Sequence, residues 1–205
     1  MRLFVALDID AAIRERLARF RAEMKPLAPA ARWVGAETFH VTLKFIGEVA
    51  QPRVDALRRA LATVQAAPVA ITFRGSGFFP NARAARVFWV GIEGGEALAA
   101  LAGKVDAALA SAGVAREERA FSPHLTLARA GDARTPRGAS GRPGRLPGDR
   151  PNSLFAPLQQ RLAQLPAAEF GAMTAAEFFL FESKLSPAGA QYSKIAGFPL
   201  PRRAG

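Results

Sequence analysis

His40-Val41-Thr42-Leu43 returns later in the chain, one residue changed, as His124-Leu125-Thr126-Leu127. These two phrases hold both histidines of the 205-residue sequence. In a β-strand, residues two apart point to the same side. Each phrase therefore sets one imidazole and one hydroxyl on a polar face, with Val41, Leu43, Leu125 and Leu127 buried behind. An imidazole takes or gives a proton near neutral pH, and a threonine hydroxyl can hold a phosphate oxygen. Two such units facing one another supply an acid, a base and two anchors for a phosphoryl group. That is the equipment for cleaving a phosphodiester without a metal. A single histidine on a strand is more often structural, and threonine favours strands on its own account. Repetition turns the reading towards function.

Around the two phrases, strands and helices alternate. Phe4 to Ile9 reads as a buried strand, and Ile13, Leu17, Phe20 and Met24 follow at helical spacing before Pro26 and Pro29. The first histidine strand spans about Thr38 to Ile46. A helix after Pro52 carries Val54, Leu57, Leu61 and Val64 on one face. Val69 to Phe79 and Arg86 to Glu93 are expected strands around a turn at Pro80-Asn81. Leu98, Leu101, Val105 and Leu109 mark a third helix, ending near Gly113. After the second histidine strand come a short helix, Leu154 to Leu165, and strands at Phe170–Thr174, Ala176–Phe181 and Tyr192–Pro199. Strand, helix and histidine strand thus recur in order at an offset of 84 or 85 residues. An ordinary α/β alternation would also look this way. A true repeat predicts two related lobes about a pseudo-two-fold axis, within one domain spanning 1–205.

Composition narrows the class. No apolar run approaches the ~18 residues of a membrane span, and Met1 to Asp8 has no signal-peptide pattern. Cysteine is absent, so disulfides and thiolate metal sites are excluded, and a cytoplasmic location is the expectation. The net charge of +11 rests on 23 Arg against five Lys. Arginine's planar fork suits bidentate phosphate contact, so a polyanionic partner fits, although charge alone does not name one. Residues 131–152 change character: Gly- and Pro-rich, with Arg134, Arg137, Arg142, Arg145 and Arg150, they read as a long exposed loop.

The chain resembles the 2H phosphoesterases, a family marked by two His-x-Thr/Ser motifs, and within them the bacterial RNA 2′,3′-cyclic phosphodiesterases, also described as 2′-5′ RNA ligases. The likeness lies in Thr38 to Glu48 (TFHVTLKFIGE) and Ser122 to Arg129 (SPHLTLAR), with the opening FVALDID and the closing FESKLSPAGAQYSKIAGFPL. The resemblance implies an α+β, bilobal fold with two antiparallel sheets flanking a central cleft and helices outside. It implies hydrolysis of a 2′,3′-cyclic phosphate on RNA ends or nucleotides to a 2′-phosphate, with no cofactor and no metal. His40 is by resemblance the proton donor and His124 the proton acceptor, an order that residue patterns alone leave open. Thr42 and Thr126 are the expected phosphate anchors.

Lys44 shares the parity of His40 and Thr42 and is a possible substrate contact, with a solvated edge lysine an equal reading. Arg129, of core-side parity but at the strand's end with its direction open, and Tyr192 are further possible contacts. Trp33, Phe79 and Tyr192 are candidates for stacking on a base, with a place in the core the simpler reading of each. No membrane contact is expected, and the protein is read as a monomer. Other readings are 2′-5′ ligation, cyclic phosphodiester hydrolysis on a small nucleotide, and a non-catalytic RNA-binding module. Two complete motifs argue against the last. A metallohydrolase is disfavoured because the histidines lack neighbouring His or Cys ligands.

Overall fold

The computed structural model describes residues 1–131, 151–186 and 189–201. The expected loop at 131–152, with its five arginines, therefore lies outside the described residues except at its two ends.

Nine strands and four helices are described: β1 (Arg2–Leu7), α1 (Ala11–Met24), β2 (Arg32–Trp33), β3 (Val41–Glu48), α2 (Val54–Ala62), β4 (Val69–Phe79), β5 (Val87–Glu93), α3 (Gly95–Ser111), β6 (His124–Arg129), α4 (Ala156–Leu162), β7 (Glu169–Ala175), β8 (Glu177–Ser186) and β9 (Gly189–Pro199). They form two antiparallel sheets, one ordered β3-β1-β8-β9 and the other β2-β6-β5-β4-β7. The α+β expectation holds. Strand, helix and histidine strand recur as β1-α1-β3 and β5-α3-β6, each with its two strands paired antiparallel.

Helical stripes do what their spacing predicts. Ile13, Leu17, Phe20 and Met24 bury one face of α1. Leu98, Leu101, Val105 and Leu109 bury that of α3. Removing such side chains from water is worth roughly 1.5–3 kcal/mol each, so each helix is held by its apolar face more than by its termini. The core these faces build includes Phe73, Phe88, Phe155 and Phe178. β2 is a strand that propensity does not show. Two residues long, it leaves the β1-α1 unit and pairs with β6 of the other sheet, Arg32 opposite Arg129 and Trp33 opposite Ala128. Val34 then donates to the Leu127 carbonyl at 2.9 Å before the chain returns to β3.

Both histidine strands carry a bulge at the same place. In the β1–β3 ladder, Ala6 opposes Thr42 and Val5 opposes Lys44, so Leu43 is extra. In the β5–β6 ladder, Trp89 opposes Thr126 and Phe88 opposes Ala128, so Leu127 is extra. An extra residue breaks the two-residue alternation and re-aims the side chains beyond it. His40 to Phe45 and His124 to Arg129 consequently share one burial pattern: half-buried, buried, half-buried, buried, buried, exposed.

The bulge corrects the reading of Lys44. Its side chain turns to the core side, 5% exposed, and its Nζ lies 2.6 Å from Asp106 on α3 and donates to the Ala115 carbonyl at 2.9 Å. It is no substrate contact but a buried tie between the first histidine strand and the helix of the other lobe. Lys44→Ala should cost about 3 kcal/mol in urea unfolding, because it strands a half-desolvated carboxylate. The double variant Lys44→Met/Asp106→Asn should recover much of that loss. An equal loss in both would place the cost on packing of the lysine stem.

Candidate active site

Each imidazole is held in the same way. His40 Nδ1 lies 2.7 Å from the Thr38 carbonyl, and His124 Nδ1 lies 2.8 Å from the Ser122 carbonyl, two residues back in both cases. A carbonyl can only accept, so Nδ1 carries the proton and donates, which leaves Nε2 of both rings for other chemistry. The local sequence arranges this. Thr38 ends a helical turn and Phe39 is extended, while Pro123 follows Ser122, so each carbonyl folds back beside the ring. Arg14 steadies the first of these segments, donating to the Ala36 carbonyl at 2.6 Å and to Asp8 at 2.6 Å.

Aromatic rings pack both imidazoles. His40 lies 4.8 Å from Phe4 and 5.2 Å from Tyr192 between ring centres. His124 lies 4.9 Å from Phe79 and 6.5 Å from Trp89. Trp89 lies across Gly77, where a Cβ would come within 2.4 Å of the indole. That close approach requires glycine. Burial among these rings disfavours the imidazolium, offset in part by the carbonyl bond and reinforced by the Arg129 charge. His40 is pushed down to about 4 from an ordinary 6.5, and His124 is lowered as well. Both rings are neutral at neutral pH in the free protein.

Thr42 and Thr126 are half-buried on the same faces as their histidines. Arg129, whose direction the simple alternation gets wrong, comes back to the cleft face after the bulge, and its Nη2 donates to Thr126 Oγ1 at 3.4 Å. Its charge disfavours protonation of His40 on the other sheet and favours the ionised form of Tyr192. Tyr192 joins Phe4, Ala6, Phe179 and Phe181 on the cleft face of the first sheet. Phe79 packs edge-on against His124. Trp33 packs elsewhere: its Nε1 donates to the Ala28 carbonyl at 2.9 Å, and its ring packs edge-on against Phe88 of the core.

Residue patterns alone pass over Phe45. It occupies the position in β3 that Arg129 holds in β6, is 60% exposed, and lies 6.1 Å from Phe4 between ring centres. Alternation from His40 puts it on the core side, and only the bulge brings it out. Its one signal is an aromatic five residues beyond the histidine, matched by an arginine five beyond the other.

Comparison with known proteins shows the family. A family model described as LigT like Phosphoesterase matches residues 7–89 and 90–140. The chain belongs to this family. Among LigT-like, 2H-type relatives, a protein of Methanothermobacter thermautotrophicus named RNA 2′,3′-cyclic phosphodiesterase is 31% identical, covering 98% of this chain and 99% of its own. One of the same name from Archaeoglobus fulgidus is 31% identical over 97% and 99%. The crystal structure of E. coli LigT complexed with 3′-AMP superposes with a TM-score of 0.72 at 25% identity, covering 98% of both chains. No helix among the described residues is long and apolar enough to cross a membrane.

NMR titration of the ring protons checks the electrostatics of the LigT-like site. The His40 signal should titrate near 4 and that of His124 below 6.5, and inorganic phosphate should raise both by offering a counter-charge. Midpoints at or above 6.5 without phosphate would contradict the burial of the rings.

Proposed function

We propose that this LigT-like phosphoesterase hydrolyses a 2′,3′-cyclic phosphate on an RNA or nucleotide end to the 2′-phosphate, with His40 and His124 as the acid and base. The observation that carries the reading is the matched anchoring of the two rings, Nδ1 to a backbone carbonyl and Nε2 left for substrate. The names of the relatives, RNA 2′,3′-cyclic phosphodiesterase, point the same way. Water attacks phosphorus and gives a proton to His124 Nε2. The P–O3′ bond breaks as His40 Nε2 gives its proton to the leaving 3′-oxygen. Water's oxygen stays on phosphorus, and the product is a 2′-phosphate with a free 3′-hydroxyl. Each proton transfer contributes roughly 10²–10⁴-fold.

The other side chains divide the remaining work. Thr42 and Thr126 hydroxyls donate to the non-bridging oxygens, and Arg129 balances their charge. Phe45 offers its exposed face to the nucleobase, beside the phosphate anchors but off the line of attack. Lys44, tied to Asp106, supports the strand. Neutral rings in the free site pose a condition, since the acid must hold a proton that burial expels. A bound phosphate anion meets it by raising the pKa of the ring beside it.

Three sets of variants test the assignment on a nucleoside 2′,3′-cyclic phosphate in excess chelator. His40→Ala and His124→Ala should each lower kcat by about 100-fold or more with unfolding unchanged. Near-normal turnover in either would end the two-histidine mechanism, and loss of wild-type turnover in chelator would point to a metal. Thr42→Val and Thr126→Val should cut kcat/KM by roughly 10-fold, about 1.4 kcal/mol of transition-state stabilisation. Phe45→Ala should cost about 10-fold in kcat/KM, the scale of one base–aromatic stack, and Phe45→Trp should restore it. An unaffected Phe45→Ala enzyme would move the base elsewhere.

A further inference from the structure

The two imidazoles are anchored alike, but the places beside them differ. In the β1–β3 ladder Ala6 opposes Thr42 and Leu7 opposes Val41, and the same register continued by one residue sets Asp8 beside His40. In the β5–β6 ladder Trp89 opposes Thr126 and Gly91 opposes His124. Gly91 is thus the counterpart of Asp8. It has no side chain to offer and no room for one, since a Cβ there would come within 2.6 Å of the Arg74 carbonyl oxygen. One histidine has a carboxylate for a neighbour across the ladder, and the other has only backbone.

Asp8 is held from several sides. Its Oδ1 accepts from Arg14 Nη2 at 2.6 Å and from the Ile9 amide at 2.9 Å, and its Oδ2 lies 2.5 Å from Lys194 Nζ. Lys194 in turn stands over the Phe179 ring, 3.9 Å from its centre. Burial opposes ionisation of Asp8, but the Lys194 and Ile9 bonds and the two cations outweigh it and hold the carboxyl below the usual carboxylate range. Arg14 carries the connection to the ring. Its Nη1 donates to the Ala36 carbonyl at 2.6 Å and the Phe39 carbonyl at 3.3 Å, and between these in sequence is Thr38, whose carbonyl holds His40 Nδ1. We propose that Asp8 is the positioning residue of the acid: through Arg14 it fixes the turn that orients His40, and its carboxylate supports the imidazolium that His40 becomes when a phosphate ester binds. The role rests on the reaction proposed above and fits its order, because His124, beside Gly91, must stay neutral to act as the base. Among the described residues, the charged and titratable groups around His40 are Asp8 after β1, Arg14 on α1, Arg129 on β6 and Tyr192 on β9. Burial dominates in lowering the pKa of this ring, Arg129 and Arg14 lower it further, and the Thr38 carbonyl and Asp8 oppose them.

Asp8→Asn keeps the shape and an acceptor oxygen but removes the charge. In NMR titration with inorganic phosphate present, it should move the His40 midpoint to lower pH and leave that of His124 in place. Lys194→Met removes the opposing cation and should move the His40 midpoint to higher pH. Opposite shifts are the mark of a charge, because loosened packing would hydrate the ring and raise the midpoint in both variants. On a nucleoside 2′,3′-cyclic phosphate, Asp8→Asn should lower kcat at neutral pH by about 10-fold, the effect of one unit in the pKa of the acid, with KM little changed. The basic limb of its kcat profile should move to lower pH, and Asp8→Glu should restore most of the loss. A His40 midpoint that stays or rises in Asp8→Asn, one that stays or falls in Lys194→Met, or an equal shift at His124 overturns the role of Asp8 while the reaction stands. Absence of turnover by the wild type overturns the reaction and this role in it together.

Discussion

The spacing between two histidines that lie on different sheets is the constraint on which the site depends, and β2 sets it. Arg32 and Trp33 give the second sheet its edge beside β6, and Val34 adds one more backbone bond to Leu127. A few residues later the same chain reaches His40. The connector between the lobes is thus itself part of the ladder that holds Thr126 and Arg129, leaving little length in which the two motifs could drift apart. Arg21 reinforces it, donating to the Val34 carbonyl at 2.6 Å. Lys44 and Asp106 make a second tie from the other side of β3, and Asp106 also accepts from the Glu117 backbone at 3.0 Å, on the approach to His124. Backbone bonds and one buried ion pair hold what two separate hydrophobic faces would leave adjustable.

Within that frame, the paired bulges decide what faces the cleft. A regular strand would bring Lys44 to the cleft beside His40 and Thr42, and would aim Arg129 at the core. The extra Leu43 and Leu127 reverse both. A lysine leaves the cleft for a carboxylate partner, and Phe45 and Arg129 take equivalent positions on opposite walls. The pseudo-symmetry is therefore one of backbone and of imidazole anchoring, but not of side-chain chemistry at this last position. One wall presents a ring and the other a cation, which suits a ligand with a base at one end and a phosphate at the other.

Much of this was legible in the sequence because period and composition speak directly. The helical stripes of α1 and α3, the strand from Val69 to Phe79, and the parity of His40 with Thr42 and His124 with Thr126 all follow from local spacing. The bulges were not legible, since a leucine reads as a core residue whether or not it has a partner across the ladder. Lys44 was misplaced and Phe45 passed over for that one reason. β2 escaped because two residues carry no periodicity, and only pairing with distant Arg129 and Ala128 makes them a strand. Trp33 was a candidate for base stacking with the core its simpler place, and its packing on Phe88, a partner far along the chain, puts it in the core.

The aromatic packing around the histidines ties the chemistry to occupancy. Rings that exclude water from His40 lower its pKa to about 4, so a resting site at neutral pH holds two bases and no acid. Arg129 deepens this, its charge opposing protonation of either imidazole. A phosphate anion reverses both effects at once, since it neutralises the arginine and provides the imidazolium with a partner in a poorly hydrated place. Protonation of His40 and binding of the anion are then linked, each favouring the other. In the reaction proposed above, the acid comes into being where and when its substrate does, and the same dry walls that keep the imidazoles neutral would strengthen every contact to a bound phosphate.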